Sequence, residues 1–201
     1  MAEYNSGSSS GSALPQQPAN TTLPDKAELW RWSLLFYPEV KNTCLVWQDQ
    51  YGLNVNLLLL LLYLQRQQLL CSSENIKLLH QSLTAQQQFT LPLRQLRRSL
   101  PADLNDQAAQ QMKQALLQAE LCSEQLEQQQ LLATLALCTL DHAAPADPAT
   151  ASAPAATTVV SLTELYLQWL GAAISPILQQ QIFDLDQHAI QLDFQTPKSL
   201  I

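Results

Sequence analysis

The chain has 201 residues and a formal net charge of −7, and only 13% of its residues are charged. The acidic balance works against non-specific binding to nucleic acid or to an anionic membrane surface. With only 4 glycines and few β-branched residues, sheets and tight hairpins are disfavoured, whereas leucine and glutamine, the dominant residues, favour helices. The composition predicts an all-α fold: a single helical bundle of six to seven helices around a central leucine-rich helix.

Shifts in composition predict the organisation of the chain. Residues 1–23 are rich in Ser, Gly, Pro and Gln, which predicts a disordered tail. The helical core follows over 24–140, and an Ala/Pro-rich linker over 141–160 interrupts it. A helical segment over 161–183 is expected to dock back on the core, because its aromatic surface would be costly to leave in water. The remainder, 184–201, is predicted to be a tail.

Two helices are predicted at the start of the core. Asp25 is placed to cap the first, and Pro38 ends it, because proline pushes the preceding residue out of the helical region. The second runs from about Glu39 to Tyr51, and Gly52 fits the left-handed position that terminates helices. Their buried faces, read from helical spacing, are Leu29, Trp32, Ser33 and Phe36 in the first and Val40, Cys44 and Trp47 in the second.

The third helix is the predicted centre of the bundle. Asn54 is placed to cap it, and it runs from Val55 to about Leu70. Six consecutive leucines, Leu57–Leu62, cover all sides of this helix, and a helix that is apolar all round is a buried one. The apolar run is far shorter than the ~20 residues that span a bilayer, so no membrane segment is expected.

The second half of the core is predicted to hold three helices. Ser72 or Ser73 caps one that runs to about Phe89, and residues 90–92, Thr-Leu-Pro, separate it from a short basic helix over 93–100. The longest helix extends from Asp103 to about Leu140. Its predicted seam, at alternating steps of four and three, is Ala108, Met112, Ala115, Ala119, Cys122 and Leu126, which suits close packing within the bundle.

Capping signals predict the C-terminal helices. Ser161 with Glu164 forms a capping box, and a short helix follows from Ser175 to about Ile182. The apolar face of the first of these helices is Leu162, Leu165, Tyr166 and Trp169.

The sequence predicts no metal site, no cofactor and no catalytic residue. The three histidines lie on separate segments, and neither a Gly-rich phosphate loop nor a nucleophile elbow is present. No secretory signal is visible, so we expect a cytoplasmic protein with reduced cysteines. Because their spacing matches no zinc or redox motif, the cysteines are predicted to be small core residues: Cys44, Cys71, Cys122 and Cys138.

The segment from Gln48 to Asn56 is the first candidate binding site. One interpretation is purely structural: Gly52 supplies the turn, Asn54 caps the next helix and Asp49 bonds a neighbouring turn. The other is a polar pocket within the bundle that contains Asp49 and Asn56. Asn56 is the sharper clue, because a buried amide beside six leucines must bond to something.

Three arginines at helical spacing, Arg94, Arg97 and Arg98, form the second candidate site. They are expected either to pair with acidic residues or to bind an anion such as phosphate, nucleotide or RNA backbone, since guanidinium forks suit those groups. The acidic partners in the first interpretation are Glu120, Glu124 and Glu127, or Asp49.

The chain resembles a proteobacterial family of small helical proteins, a domain of unknown function, over roughly residues 25–170. The family has an aromatic-x-aromatic-Ser-Leu helix followed by Q-D-x-x-G-x-D-V-N-L-L-L, and this chain departs from it at Asn54, where the family favours Asp. The resemblance implies the helical fold and no particular activity. The matching residues are Trp30, Trp32, Ser33, Leu34, Tyr37, Cys44, Leu45, Gln48, Asp49, Gly52, Val55, Asn56, Leu57, Leu58 and Leu59, and then Pro92, Leu93, Arg94, Arg97, Arg98, Glu120, Leu121, Glu124, Leu126, Glu127, Gln128 and 162–167.

The leading functional hypothesis is a cytoplasmic protein-interaction or structural module without catalysis. It rests on the absence of a catalytic motif and on the long Gln-rich helix, whose apolar stripe changes face. The alternative is a small-molecule or anion binder, or an enzyme, that uses a polar pocket around Asp49, Asn56 and Arg94. A third hypothesis, RNA binding through the arginines, is disfavoured by the acidic charge.

Overall fold

The computed structural model describes residues 23–101, 107–142 and 160–192. Within these ranges it contains seven helices and one small antiparallel sheet, so the predicted all-α class is confirmed. The helices are α1 (Lys26–Tyr51), α2 (Val55–Arg66), α3 (Ser73–Ser82), α4 (Thr84–Ser99), α5 (Gln107–Leu135), α6 (Leu162–Trp169) and α7 (Pro176–Gln191), and the strands are β1 (Leu69–Leu70) and β2 (Asp141–His142).

Helix α1 is continuous through Pro38, so the predicted end at this proline is wrong. A proline inside a helix removes one backbone hydrogen bond and costs roughly 3 kcal/mol. Pro38 and Leu34, whose carbonyl loses its donor, are both exposed, so that carbonyl can bond to water. The helix buries side chains on both sides of Pro38, and this burial favours a single helix. The predicted buried residues are all buried: Leu29, Trp32, Ser33, Phe36, Val40, Cys44 and Trp47.

Helix α2 is the centre of the bundle, as predicted. Gly52 ends α1 with φ 70°, and the Asn54 side chain accepts from the Leu57 amide at 2.9 Å to cap α2. Every residue from 56 to 64 is buried, and α1, α5, α6 and α7 pack around them. The helix ends at Arg66 instead of about Leu70, because Gln68 adopts φ 58° and the chain turns into β1.

The interruption between α3 and α4 lies at Leu83, so the break predicted at 90–92 is wrong. Ser72 caps α3, as predicted. Helix α4 continues through Pro92, which is exposed, and a contact two residues earlier fixes α4 to α5. There the buried Thr90 hydroxyl lies 2.7 Å from Ser123 Oγ. The basic segment over 93–100 is therefore the last part of α4.

The seam predicted for α5 is wrong, because this helix turns a largely polar face inward. Met112 and Leu126 are 45% and 51% exposed, and the start predicted at Asp103 lies outside the described residues. The helix ends at Leu135 instead of about Leu140. Its buried residues are Ala109, Glu120, Ser123, Glu127, Gln128, Leu131, Thr134 and Leu135. Hydrogen bonds from α1, α2 and α4 reach Glu120, Ser123, Glu127 and Gln128, which makes their burial tolerable.

The C-terminal helices pack on the core. Ser161 and Ser175 cap α6 and α7, and α7 extends past the predicted end at Ile182 to Gln191. The predicted linker begins as β2, which pairs with β1, and its residues 143–159 lie outside the described chain. In the described ranges, no helix is both long and apolar enough to cross a bilayer.

The four cysteines are free, and they occupy different environments. Cys44 and Cys71 are buried, and burial raises the pKa of each thiol to about 12. Cys138 is half-buried. Cys122 is exposed, so its prediction as a core residue is wrong, for the same reason that the α5 seam is wrong.

Candidate functional site

A buried polar network connects α2 to α5. The amides of Asn54 and Asn56 both donate to Glu127 Oε2, at 3.1 and 2.9 Å. Glu127 is 2% exposed and forms no ion pair within the described ranges. Its carboxylate instead lies against the N-terminus of α2, where the partial positive charge of the helix favours an anion. Glu127 thus fixes the start of the central helix to α5.

Gln128 extends this network to α1. Its Nε2 donates to Ser33 Oγ at 2.9 Å and to Asn56 Oδ1 at 3.3 Å. The side chain is 3% exposed, yet its Oε1 is buried without a hydrogen-bond partner. Gln48 Oε1 on α1 is also buried without a hydrogen-bond partner. Two acceptors in this region are therefore available to a donor.

The arginines of α4 pair with glutamates of α5. Arg94 Nε lies 3.0 Å from Glu120 Oε1 and Arg94 Nη2 lies 2.8 Å from Glu124 Oε1, while Arg97 bonds to Glu120 through Nε and Nη2. The ion-paired arrangement expected from the sequence is therefore present for Arg94 and Arg97. Arg98 is exposed and takes no part in an ion pair among the described residues.

The two glutamates that bind Arg94 have opposite pKa shifts. Burial raises the pKa of Glu120, but hydrogen bonds from Arg97 and Arg94 outweigh it, so the net pKa is lowered. Burial dominates at Glu124, and its pKa is raised despite the contact with Arg94. Burial also raises the pKa of Tyr37, with smaller contributions from Cys44 and the neighbouring carboxylates.

A cavity of about 400 Å³ lies between α1, the start of α2, α4 and α5. We call it the α1–α5 cavity. Apolar and aromatic side chains form most of its wall, and charged groups of α1, α4 and α5 form the rest. The lining residues are Trp30, Ser33, Leu34, Tyr37, Lys41, Leu45, Gln48, Val55, Asn56, Leu59, Arg94, Arg97, Arg98, Leu117, Glu120, Leu121, Glu124 and Gln128.

A second, more polar cavity of about 210 Å³ lies at the start of α2. It shares Gln48, Val55, Asn56 and Arg94 with the α1–α5 cavity, so the two are neighbours. Its lining is Gln48, Gly52, Leu53, Asn54, Val55, Asn56, Gln87, Thr90, Leu91, Arg94 and Glu127.

The model of a family described as "Protein of unknown function (DUF2390)" matches residues 28–131, which is just over half of the chain. The chain belongs to the DUF2390 family. Every residue that lines the two cavities falls inside the matched range, so the candidate site lies in the family domain. Helices α6 and α7 lie beyond it. Comparisons with curated proteins and with solved structures returned no match.

Within this DUF2390 domain the structure brings together most of the residues singled out in the sequence. Gln48, Asn56 and Arg94 line both cavities. Gly52 and Asn54 line only the smaller one, and Arg97 and Arg98 only the larger. Asp49 is exposed and lines neither cavity, so the pocket expected around Asp49, Asn56 and Arg94 contains two of these three. On α1, Asp49 follows Gln48 by one position and therefore points to a different side of the helix.

Sequence reasoning offered Glu120, Glu124 and Glu127 as partners of the arginines, but it missed the inward polar face of α5 in the DUF2390 site, where Glu127 binds asparagines instead. Five polar residues on this helix, at intervals of three and four, form one stripe that faces α2 and α4: Glu120, Ser123, Glu124, Glu127 and Gln128. That spacing was visible in the sequence. Because the end of α4 is basic, this spacing of polar and acidic residues on α5 indicates a buried polar face that packs against α4. Among the described residues, no group of three His, Cys, Asp or Glu could hold a metal ion.

Sequence reasoning also missed a hydrogen-bonded pair formed by Tyr166 on α6 and His80 on α3. The Asn54 backbone amide donates to Tyr166 Oη at 3.0 Å, and Tyr166 Oη lies 2.9 Å from His80 Nδ1. Burial lowers the pKa of His80 and raises that of Tyr166, so both are neutral near pH 7. The tautomer of His80 sets which of the two groups donates. This pair holds α6 against the DUF2390 domain next to Asn54, whose side chain bonds to Glu127.

Proposed function

We propose that this DUF2390 protein is a protein-interaction module without catalysis of its own. In this proposal the α1–α5 cavity receives a segment of a partner protein. The observation that carries it is the pair of leucines on two walls of the cavity: Leu34 on α1 is 50% exposed and Leu117 on α5 is 46% exposed. A small ligand seated deep in the cavity would leave them in water, whereas a docked segment would cover them.

The polar groups of the cavity favour binding over chemistry. Its two carboxylates, Glu120 and Glu124, are held by arginines, and the Ser33 hydroxyl is bonded to Gln128. None of the residues that line it is a histidine or a cysteine. General acid–base and nucleophilic catalysis need a group that is free to exchange a proton or to attack, whereas Glu120, Glu124 and Ser33 are each engaged in a contact with another side chain.

The test is affinity capture from native cells with three single variants. Leu34→Glu and Leu117→Glu each place a charge at one of the two half-exposed leucines of the cavity, and we call them the rim variants. Val46→Glu is the matched control. Val46 is on the same helix as Leu34, is 57% exposed and lies outside the cavity lining. We expect wild type and Val46→Glu to capture the same protein, and the two rim variants to lose it. Equal capture by all three variants, or none by wild type, would contradict the proposal.

We also propose a cytoplasmic location. The four free cysteines, two of them fully inside the core, fit a reducing compartment. Fractionation of cells that express the tagged chain tests this. Recovery in a membrane or extracellular fraction would count against it.

A further inference from the structure

The charges of the α1–α5 cavity indicate which kind of partner segment fits it. Four of the 10 basic residues of the chain line this one cavity, against two carboxylates, although the net charge of the chain is −7. Glu120 and Glu124 are already bonded to Arg94 and Arg97. The other two cations, Lys41 on α1 and Arg98 on α4, form no ion pair within the described part of the chain.

The buried acceptors give a second, independent indication. Gln128 Oε1 and Gln48 Oε1 both belong to cavity-lining side chains, and neither has a hydrogen-bond partner. Gln128 is also almost completely buried, so water does not readily replace a donor there. Rotation of either side chain toward the cavity would present its oxygen to an occupant with an N–H group, and the backbone of a peptide carries one at almost every residue.

The apolar wall supplies the third requirement. Trp30 and Tyr37 on α1 and Leu59 on α2 offer contact surface for an apolar side chain. Phosphate groups fit less well, since the guanidinium groups of Arg94 and Arg97 are already bonded to Glu120 and Glu124, and only that of Arg98 is left to clamp them. A carboxylate needs fewer cations than a phosphate group, because it carries a single charge. The two unpaired cations, Lys41 and Arg98, are sufficient to hold it.

We infer that the partner segment in the α1–α5 cavity is an acidic peptide. It places a carboxylate at Lys41 and Arg98, an adjacent apolar side chain against Trp30 and Tyr37, and backbone N–H groups toward Gln128 and Gln48. This inference rests on the proposed function and adds the chemistry of the partner to it.

Two fluorescent probes with the same aromatic body test the charge preference on the full chain. Anilinonaphthalene sulfonate carries an anion and an N–H group, and N-phenylnaphthylamine carries the N–H group alone. We expect the anionic probe to bind at one saturable site about tenfold more tightly than the neutral one. The double variant Lys41→Gln/Arg98→Gln should remove this difference and leave binding of the neutral probe unchanged.

Arg31→Gln is the matched control, because Arg31 is on α1, is exposed and lies outside the cavity. It should bind both probes like wild type. Circular dichroism and the thermal midpoint establish that each variant is folded, since the anionic probe also binds loosened cores. A synthetic peptide with alternating Glu and Leu should displace the anionic probe, and its Gln and Leu counterpart should not.

Three outcomes overturn the inference: equal binding of the two probes, no binding of either, or an anionic-probe affinity unaffected by Lys41→Gln/Arg98→Gln. Displacement by inorganic phosphate but not by the acidic peptide overturns it as well, and assigns a phosphate site instead. None of these results changes the expected outcome of the capture experiment with the rim variants. Failure of the acidic-peptide inference is therefore distinguishable from failure of the proposed function.

Discussion

The Asn56 amide donates to Glu127 Oε2 at 2.9 Å, across 71 positions of sequence. Both side chains are buried, and the bond joins the first turn of the central helix α2 to the middle of α5. Asn54 donates to the same oxygen. Asn56, a polar residue at the start of a leucine-rich helix, is thus a partner of the Glu127 carboxylate. In the described part of the chain, this carboxylate forms no ion pair with a cation.

Asn56→Leu should destabilise the protein by about 2–3 kcal/mol, because Glu127 would lose a donor while remaining buried. Chemical denaturation followed by tryptophan fluorescence measures the free energy of unfolding. Asn75→Leu is the control, since Asn75 donates to the Thr139 carbonyl in an exposed setting, and it should cost under about 1 kcal/mol. Unchanged or increased stability of Asn56→Leu would show that the Glu127 bond contributes little.

Glu120→Gln and Glu124→Gln should change the pH dependence of stability in opposite directions. Because the folded pKa of Glu120 is lowered, its stabilising effect is present above its ordinary pKa of 4.5 and is lost as the pH falls through the lowered value. The raised pKa of Glu124 has the reverse effect: stability is lost as the pH rises from 4.5 through the raised value.

At pH 7, Glu120→Gln should therefore cost clearly more than Glu124→Gln. Unfolding free energies measured between about pH 2 and pH 9 provide the test, because this range extends well to both sides of the ordinary glutamate pKa. Loss of acid sensitivity in Glu120→Gln, and a flatter or rising profile toward neutral pH in Glu124→Gln, is the expected result. Parallel profiles for the two variants would contradict the assignment.

Tyr166→Phe should cost about 1–3 kcal/mol, because the Asn54 amide and His80 both lose a partner. Tyr51→Phe is the control: Tyr51 is partly buried, and its hydroxyl forms no side-chain hydrogen bond within the described residues. It should be close to neutral. Equal losses of unfolding free energy in the two variants would show that the Tyr166 hydroxyl does not contribute to stability.

The lowered pKa of His80 predicts a loss of stability in mild acid. The unfolded chain takes up a proton near pH 6.5, the ordinary value, while the folded protein takes it up only at a lower pH. Stability should therefore fall as the pH drops below 6.5. His80→Gln should remove this part of the pH dependence, and NMR titration should place the His80 midpoint below 6.5. A midpoint above that value would contradict the prediction.

Thiol labelling should distinguish the four cysteines. Cys122 is exposed on α5 and should react first with an aromatic disulfide reagent at neutral pH. Cys44 and Cys71, with pKa raised to about 12, should react only on unfolding, because the thiolate is the reactive form. Cys122→Ser should abolish the fast phase and Cys44→Ser should preserve it. A fast phase that survives in the double variant Cys122→Ser/Cys138→Ser would mean that the core opens readily, because only the two buried cysteines are then left.

The first third of the chain was the most predictable from sequence. The buried face of α1, the turn at Gly52 and the cap at Asn54 each depend on residues within a few positions of one another. Pro38 and Pro92 misled the assignment of helix ends, since local preference favours a break at each. Core packing on both sides of Pro38, and the contact of Thr90 with Ser123, outweighed that preference.

The helical fold, the central position of Leu57–Leu62 and the need of Asn56 for a partner could all be predicted from the amino-acid sequence. These conclusions follow from spacing and composition, which act over short distances along the chain. Tertiary contacts, in contrast, set the orientation of α5, which turns Glu120, Glu127 and Gln128 inward and exposes Met112 and Leu126. The reason is physical: a buried carboxylate is tolerated only where donors from other helices meet it, and those donors come from distant parts of the sequence.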